Sequence, residues 1–285
     1  MASVDKRYWT EFRNAVNVST VAAITSDIVQ RYNDWAYREK AARQWGAKSV
    51  KARFIFIRSV FRYAASKGKD SANLQQVLLL LGGLDKPVAA DGEGGVARPI
   101  SPADFAKWYE ASDTKHRAIL LVMLNASMRP QDLALLPLSA IDLSAGTLVT
   151  RRRKQGRVIR CAVLWQRTIE AIRAYQQSQP HDYDRVFVND NGTPYASGRV
   201  VAHMLRKFRT LGGVAETVHA EHIRDGAYTA AISAGVDLMQ AKVLAGHRVG
   251  IPDDYIARGA HMVADACEAI ERHYFGKEKK GKGGK

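Results

Sequence analysis

The chain has 285 residues, 46% of them hydrophobic, enough for two modest domains with real cores and too apolar for wholesale disorder. Lys and Arg number 43 against 28 Asp and Glu, and the formal charge of +15 is spread along the whole length rather than along one amphipathic helix, which favours a polyanion such as nucleic acid over a membrane surface. Cys161 and Cys267 stand far apart with no CxxC or His/Cys ligand pattern, so neither a disulfide framework nor a metal site is indicated; with no apolar signal region and no run near the ~18 apolar residues of a span, the chain reads as intracellular and soluble, with no membrane partner.

Residues 5 to about 81 carry helical periodicity. After Val18-Ser19-Thr20, the residues Val21, Ile24, Ile28, Tyr32 and Trp35 recur at three- and four-residue spacing, and Val50, Phe54, Ile57 and Phe61 form a second apolar stripe. The other faces are basic. Lys48, Lys51, Arg53, Arg58 and Arg62 are the candidates there for contacting a duplex. Residues 85–99, DKPVAADGEGGVARP, have no periodicity and read as a linker.

A helix opens at Ser101-Pro102-Ala103-Asp104, with a serine cap, proline at the first helical position and an acidic residue in the first turn. The apolar segment His116–Asn125 follows as a core helix, and then Arg129-Pro130-Gln131-Asp132, where an arginine precedes a proline-initiated helix. From Ile141 the period shifts to short strands, with turns at Ser144-Ala145-Gly146 and Gln155-Gly156. The second hairpin tip carries Arg151, Arg152, Arg153, Lys154 and Arg157 and is suited to enter a groove. Helices are expected at Trp165–Gln179 and Ser197–Leu211, separated by a short strand Arg185–Val188 and a turn at Asn191-Gly192. Near the end, Met262, Val263, Ala266, Ile270 and Tyr274 share one helical stripe, and residues 276–285, GKEKKGKGGK, read as a disordered basic tail.

Arg129 with Asp132 three residues on, a hairpin with Lys154-Gln155-Gly156, Arg224 at a helix start, Gly246-His247 and then Tyr255 form an ordered set that resembles the tyrosine recombinases, the phage-type integrases among them. The segments MRPQDLALLPLSAIDL and AGVDLMQAKVLAGH add to the likeness, which runs through about residues 100–275 and more weakly through 5–85. The resemblance implies two domains: an all-α core-binding domain at 1–84 and, beyond the linker, an α+β catalytic domain at 100–275 with a small antiparallel sheet, closing as a C-shaped clamp on double-stranded DNA. It implies that Arg129 and Arg224 hold a phosphodiester, that Lys154 protonates the leaving 5′ oxygen, that His247 donates a hydrogen bond and that Tyr255 attacks to give a 3′-phosphotyrosine. No cofactor is implied, neither ATP nor an obligatory metal.

The family's usual histidine three residues before the second arginine is Glu221 here, flanked by His219 and His222. Either His222 or His219 fills that role, or Glu221 accepts a proton from the tyrosine. Tyr274 is a rival nucleophile at a longer separation from His247. The family also implies self-association, a tetramer on paired sites through the C-terminal helix 262–274, and a cytoplasmic place at the nucleoid of a prokaryotic or phage-infected cell. A type IB-like topoisomerase, a telomere resolvase or a non-cleaving DNA-binding relative are the alternative readings.

Overall fold

The structure, a computed structural model, describes residues 3–18, 23–43, 45–68, 71–83, 96–151, 158–248 and 259–276. The chain divides into two compact units, Met1–Val96 and Ala97–Lys285. Residues 85–95 of the expected linker and 277–285 of the expected tail lie outside the described residues. No helix among the described residues is long and apolar enough to cross a membrane.

The first unit contains α1 (Ser3–Val16), α2 (Ser26–Ala42), α3 (Ala47–Ser66) and α4 (Ser71–Gly83). Aromatic rings pack its centre edge to face: Tyr32 meets Phe12 at 4.9 Å and Phe54 at 5.3 Å between centroids, and Phe12 meets Phe61 at 5.6 Å. The expected helix through Val21 begins later, at Ser26, with Thr25 in an extended cap conformation; Ile24 precedes the helix yet is buried.

On α3, Lys48, Lys51 and Arg62 are exposed, and Arg58 is half-buried with its guanidinium over Gly82. At 100° per residue these four share one face. Arg53 departs from the expected cationic surface. It follows Val50 by three residues and precedes Ile57 by four, so the helix turns it toward the apolar side, where it is 3% exposed. There it holds Glu11 through two hydrogen bonds of 2.8 and 3.2 Å, donates to the Ser49 carbonyl at 2.9 Å and stacks 3.5 Å from the Trp45 ring centroid.

The second unit comprises α5 (Pro102–Glu110), α6 (Thr114–Asn125), α7 (Pro130–Ala134), strands β1 (Ile141–Asp142), β2 (Thr147–Arg151) and β3 (Ile159–Val163), then α8 (Gln166–Ser178), α9 (Gly198–Leu211), α10 (Glu221–Ser233), α11 (Leu238–Leu244) and α12 (Ala264–Phe275). The Ser101 hydroxyl accepts the Asp104 N–H at 3.0 Å to start α5, and the Asp113 carboxylate accepts the His116 N–H at 2.8 Å to start α6. From Lys115 to Asn125 every residue of α6 except Arg117 is buried, as a helix apolar on nearly all sides requires. The Asn125 side chain donates to the Val163 carbonyl and accepts from the Trp165 N–H, both at 2.9 Å, tying the end of α6 to the β3–α8 junction.

The three strands pair antiparallel in the order β1-β2-β3, with Thr150 opposite Arg160. The expected strand Arg185–Val188 is not one: among the described residues it makes a single isolated bridge, Val188 to Pro194, because a four-residue segment without a partner strand has no ladder to join. The C-terminal stripe does form, with Val263, Ala266, Ile270 and Tyr274 buried in the unit's own core.

Arg53→Ala strands the Glu11 carboxylate and is expected to cost about 3–5 kcal/mol in chemical denaturation. Lys51→Ala, on the exposed face, is expected to change stability by no more than about 0.5 kcal/mol; comparable effects from the two would return Arg53 to the surface.

Candidate active site

Two helix stops built from opposite residue types shape the site. The first ends α6 at Ser127, a non-glycine residue held at φ 47°, with the Met128 N–H donating back to the Met123 carbonyl at 2.9 Å. The chain then extends through Arg129 and turns into α7 at Pro130, and the Arg129 N–H donates to the Asp132 carboxylate at 3.4 Å. Helix α9 presses on this corner: the Gly198 N–H donates to Gln131 Oε1 at 2.9 Å, and a Cβ at position 198 would come within 2.2 Å of the Gln131 nitrogen. Only glycine fits there.

The second stop ends α11 at Gly246, φ 64°, where the Gly246 and His247 N–H groups donate to the carbonyls of Val243 (2.9 Å) and Lys242 (2.8 Å). A left-handed glycine closing a helix is what the Ala245-Gly246-His247 text encodes. It delivers His247 half-buried at the turn.

Between these stops lies Arg224 in the first turn of α10, 5% exposed. Its Nη1 donates to the Ser127 carbonyl at 3.1 Å, and its Nη2 donates to the Ala245 carbonyl and to His247 Nε2, each at 2.8 Å. A guanidinium only donates, so Nε2 accepts and the imidazole proton in this arrangement sits on Nδ1.

A second buried arginine completes the framework. Arg160 of β3, 1% exposed, donates Nη1 to Asp132 at 2.9 Å and Nη2 to the Ala245 carbonyl at 3.0 Å. Sequence reading passed it over. Its signal was a charged residue inside the otherwise apolar strand Ile159-Arg160-Cys161-Ala162-Val163, where burial demands a partner. Beside this framework opens a groove of about 1210 Å³, lined by Arg129, Asp132, Arg151, Arg160 and Arg185, among others. Arg129 is exposed to it, as is Arg151 at the end of β2. Lys154, Arg152, Arg153 and Tyr255 lie outside the described residues.

Glu221 stands three residues before Arg224 on the same side of α10, exposed at the helix start. His222, one position further along, is rotated by about 100° from Glu221. Its Nδ1 accepts the His219 N–H at 3.3 Å, its carbonyl accepts the Ile100 N–H at 3.0 Å, and His219, Asp225 and Arg98 are its charged neighbours. Burial, first, and the proximity of His219 and Arg98 hold its pKa below the usual histidine value against the opposing pull of Asp225 and Glu221. Bringing His222 to Arg224 would require rewinding α10.

Tyr274 is occupied elsewhere. Its hydroxyl donates to the Ile100 carbonyl at 2.8 Å, its ring is buried, and burial raises its pKa, which disfavours a phenolate. A Cβ at Gly226 would collide with that hydroxyl, so α10 and α12 meet through a glycine.

The sequence profile of the phage integrase family matches residues 102–250, just over half of the 285. A tyrosine recombinase XerC from Actinobacillus pleuropneumoniae serotype 7 (strain AP76) is 25% identical over 244 residues, covering 84% of this chain and 75% of its own. Among solved structures, the fold is similar to lambda integrase (residues 75–356) in a dimer bound to a COC′ core site, with a TM-score of 0.62, 15% identity and coverage of 92% of this chain and 87% of that one. It is also similar to the Tn1549 transposon integrase in complex with a circular intermediate DNA, with a TM-score of 0.61, 13% identity and coverage of 95% and 94%.

Arg160→Met removes the buried guanidinium that bridges the Asp132 carboxylate and the Ala245 carbonyl. It is expected to cost about 3–5 kcal/mol in denaturation experiments; a loss below about 1 kcal/mol would mean that Arg160 does not hold these segments together.

Proposed function

The chain belongs to the phage integrase family of tyrosine recombinases, enzymes that cleave and rejoin DNA strands, and we propose how its own residues carry that reaction. The carrying observation is the buried Arg224 guanidinium, 2.8 Å from His247 Nε2 and tied through the Ser127 carbonyl to the segment that bears Arg129. Two permanently charged planar forks on either side of a scissile phosphate offset the negative charge that gathers on its non-bridging oxygens during in-line attack.

In this reading the Tyr255 phenol oxygen forms a bond to phosphorus while the bond from phosphorus to the 5′ oxygen breaks, leaving a 3′-phosphotyrosine and a free 5′ hydroxyl. Lys154 gives the departing oxygen its proton. Glu221, on the Arg224 side of α10, takes the proton of the phenol. His247 faces a constraint of its own: while Nε2 accepts from Arg224 it has no proton to offer, so donation to a phosphate oxygen needs a proton at Nε2. Rejoining reverses the attack, and because the phosphodiester energy is conserved in the tyrosyl ester, neither ATP nor a metal is required.

The duplex would be contacted by the stripe of Lys48, Lys51, Arg58 and Arg62 in the first unit and by Arg151 beside the groove in the second, with Arg152 and Arg153, which lie outside the described residues, as further candidates. The relatives act in pairs and fours: lambda integrase is a dimer on a core site and, in a further structure with a TM-score of 0.61, a tetramer bound to a Holliday junction. Assembly of this chain on paired sites, within the cytoplasm at the nucleoid, follows the same scheme. Helix α12 packs within its own unit, with Trp165 Nε1 donating to the Cys267 carbonyl at 2.8 Å and Arg167 paired to Glu271 at 2.9 Å. Docking of residues 262–274 into a neighbour would therefore exchange these contacts between copies.

A nicked duplex carrying a site selected from random sequence traps the covalent intermediate. The wild-type protein is expected to form an adduct and Tyr255→Phe none; an adduct that survives the substitution would move the nucleophile elsewhere, and none from the wild type would leave a binding protein that does not cut. Glu221→Gln is expected to slow adduct formation by about 10²-fold with DNA affinity kept, as for removal of a general base. An unchanged rate would release Glu221 from that role.

A further inference from the structure

Four residues after Arg224, and so one turn along the same side of α10, stands Tyr228. It is half-buried and packs against the core of the catalytic unit. Its ring centroid lies 5.8 Å from that of His247, with the planes inclined by 54°, within the range of a favourable aromatic pair. The imidazole is thus flanked by Arg224 Nη2 at its Nε2 edge and by the Tyr228 ring.

The helix stop at Gly246 fixes where the His247 backbone lies and leaves its side-chain torsions to whatever the ring touches. Without DNA, Arg224 helps to set those torsions. Once a phosphate takes the guanidinium N–H groups, that restraint weakens, just when the imidazole must aim at an oxygen. An apolar ring contact does not depend on which partner Arg224 has chosen.

We propose that Tyr228 is a positioning residue, whose ring holds the His247 imidazole in its working orientation in both the DNA-free and the phosphate-bound states. The proposal rests on the reading of Arg224 and His247 as phosphate-binding groups. Burial raises the Tyr228 pKa against the opposing pull of Arg224, so at neutral pH the phenol stays uncharged and sets no anion beside a phosphate.

The test measures single-turnover adduct formation on the nicked duplex, together with DNA affinity, for the full chain. Tyr228→Phe keeps the ring and is expected to cleave within about twofold of wild type. Tyr228→Ala is expected to cleave roughly ten- to a hundredfold more slowly at unchanged affinity, the size of effect that a misplaced group produces. In a His247→Ala background the same Tyr228→Ala change is expected to cost nothing more, since its effect passes through the imidazole.

Full additivity of the two changes, or a Phe variant as slow as the Ala variant, would overturn the proposal. Tyr228→Leu keeps apolar bulk should Ala unfold the protein, and the His247 ring protons, followed by NMR with selective histidine labelling, are expected to shift when the aromatic ring is removed. That readout needs no cleavage. If the wild type forms no adduct, the recombinase reading of the site fails, while an unmoved His247 resonance in Tyr228→Leu separately sinks the contact proposed here.

Discussion

One backbone carbonyl, that of Ala245, accepts hydrogen bonds from two buried guanidiniums, Arg224 at 2.8 Å and Arg160 at 3.0 Å. Each arginine brings a different piece of chain to that point: Arg224 brings α10 and, through the Ser127 carbonyl, the end of α6; Arg160 brings the sheet and, through Asp132, the start of α7. Burying two cations this deeply is costly unless their donors find acceptors with good geometry, as the Nη groups of both do here. The cost is also a constraint, because few arrangements of these segments satisfy it. Arg160, through Asp132 and the Ala245 carbonyl, helps to fix the segments that carry Arg129 and His247.

The two helix stops are chemically unequal. Gly246 adopts its left-handed conformation freely, whereas Ser127 adopts nearly the same one with a side chain that disfavours it by about 1–2 kcal/mol. Its hydroxyl oxygen is buried without a hydrogen-bond partner among the described residues. Other contacts hold that turn: the Met128 N–H returns to the Met123 carbonyl, and Arg224 takes the Ser127 carbonyl. Local strain is accepted where it orients the carbonyl that Arg224 needs.

Much of the architecture was legible because its signals are local. The Ser101-Pro102-Asp104 cap, the apolar α6 and the pairing of β2 with β3 all use residues close in sequence. What escaped depends on distant partners. Arg160 reads as one more cation until its acceptors, 28 and 85 residues away, are in view. By charge alone Arg53 belongs to a basic surface, although its spacing from Val50 and Ile57 matches the apolar stripe. The segment Arg185–Val188 has strand-forming composition and no strand to pair with. At Glu221 the helix register keeps the carboxylate on the Arg224 side and rotates His222 about 100° from it, where its Nδ1 accepts the His219 N–H.

The near-total burial of α6 has a consequence for how the protein fails. A helix enclosed on almost every side exchanges its amide hydrogens only when the whole unit opens, so it belongs to the most protected cooperative block of the catalytic unit. Ser127 and Arg129 follow directly from its last turn. The corner that bears Ser127 and Arg129 therefore has no independent melting of its own: it persists until the core around α6 gives way, and then both disappear in one transition.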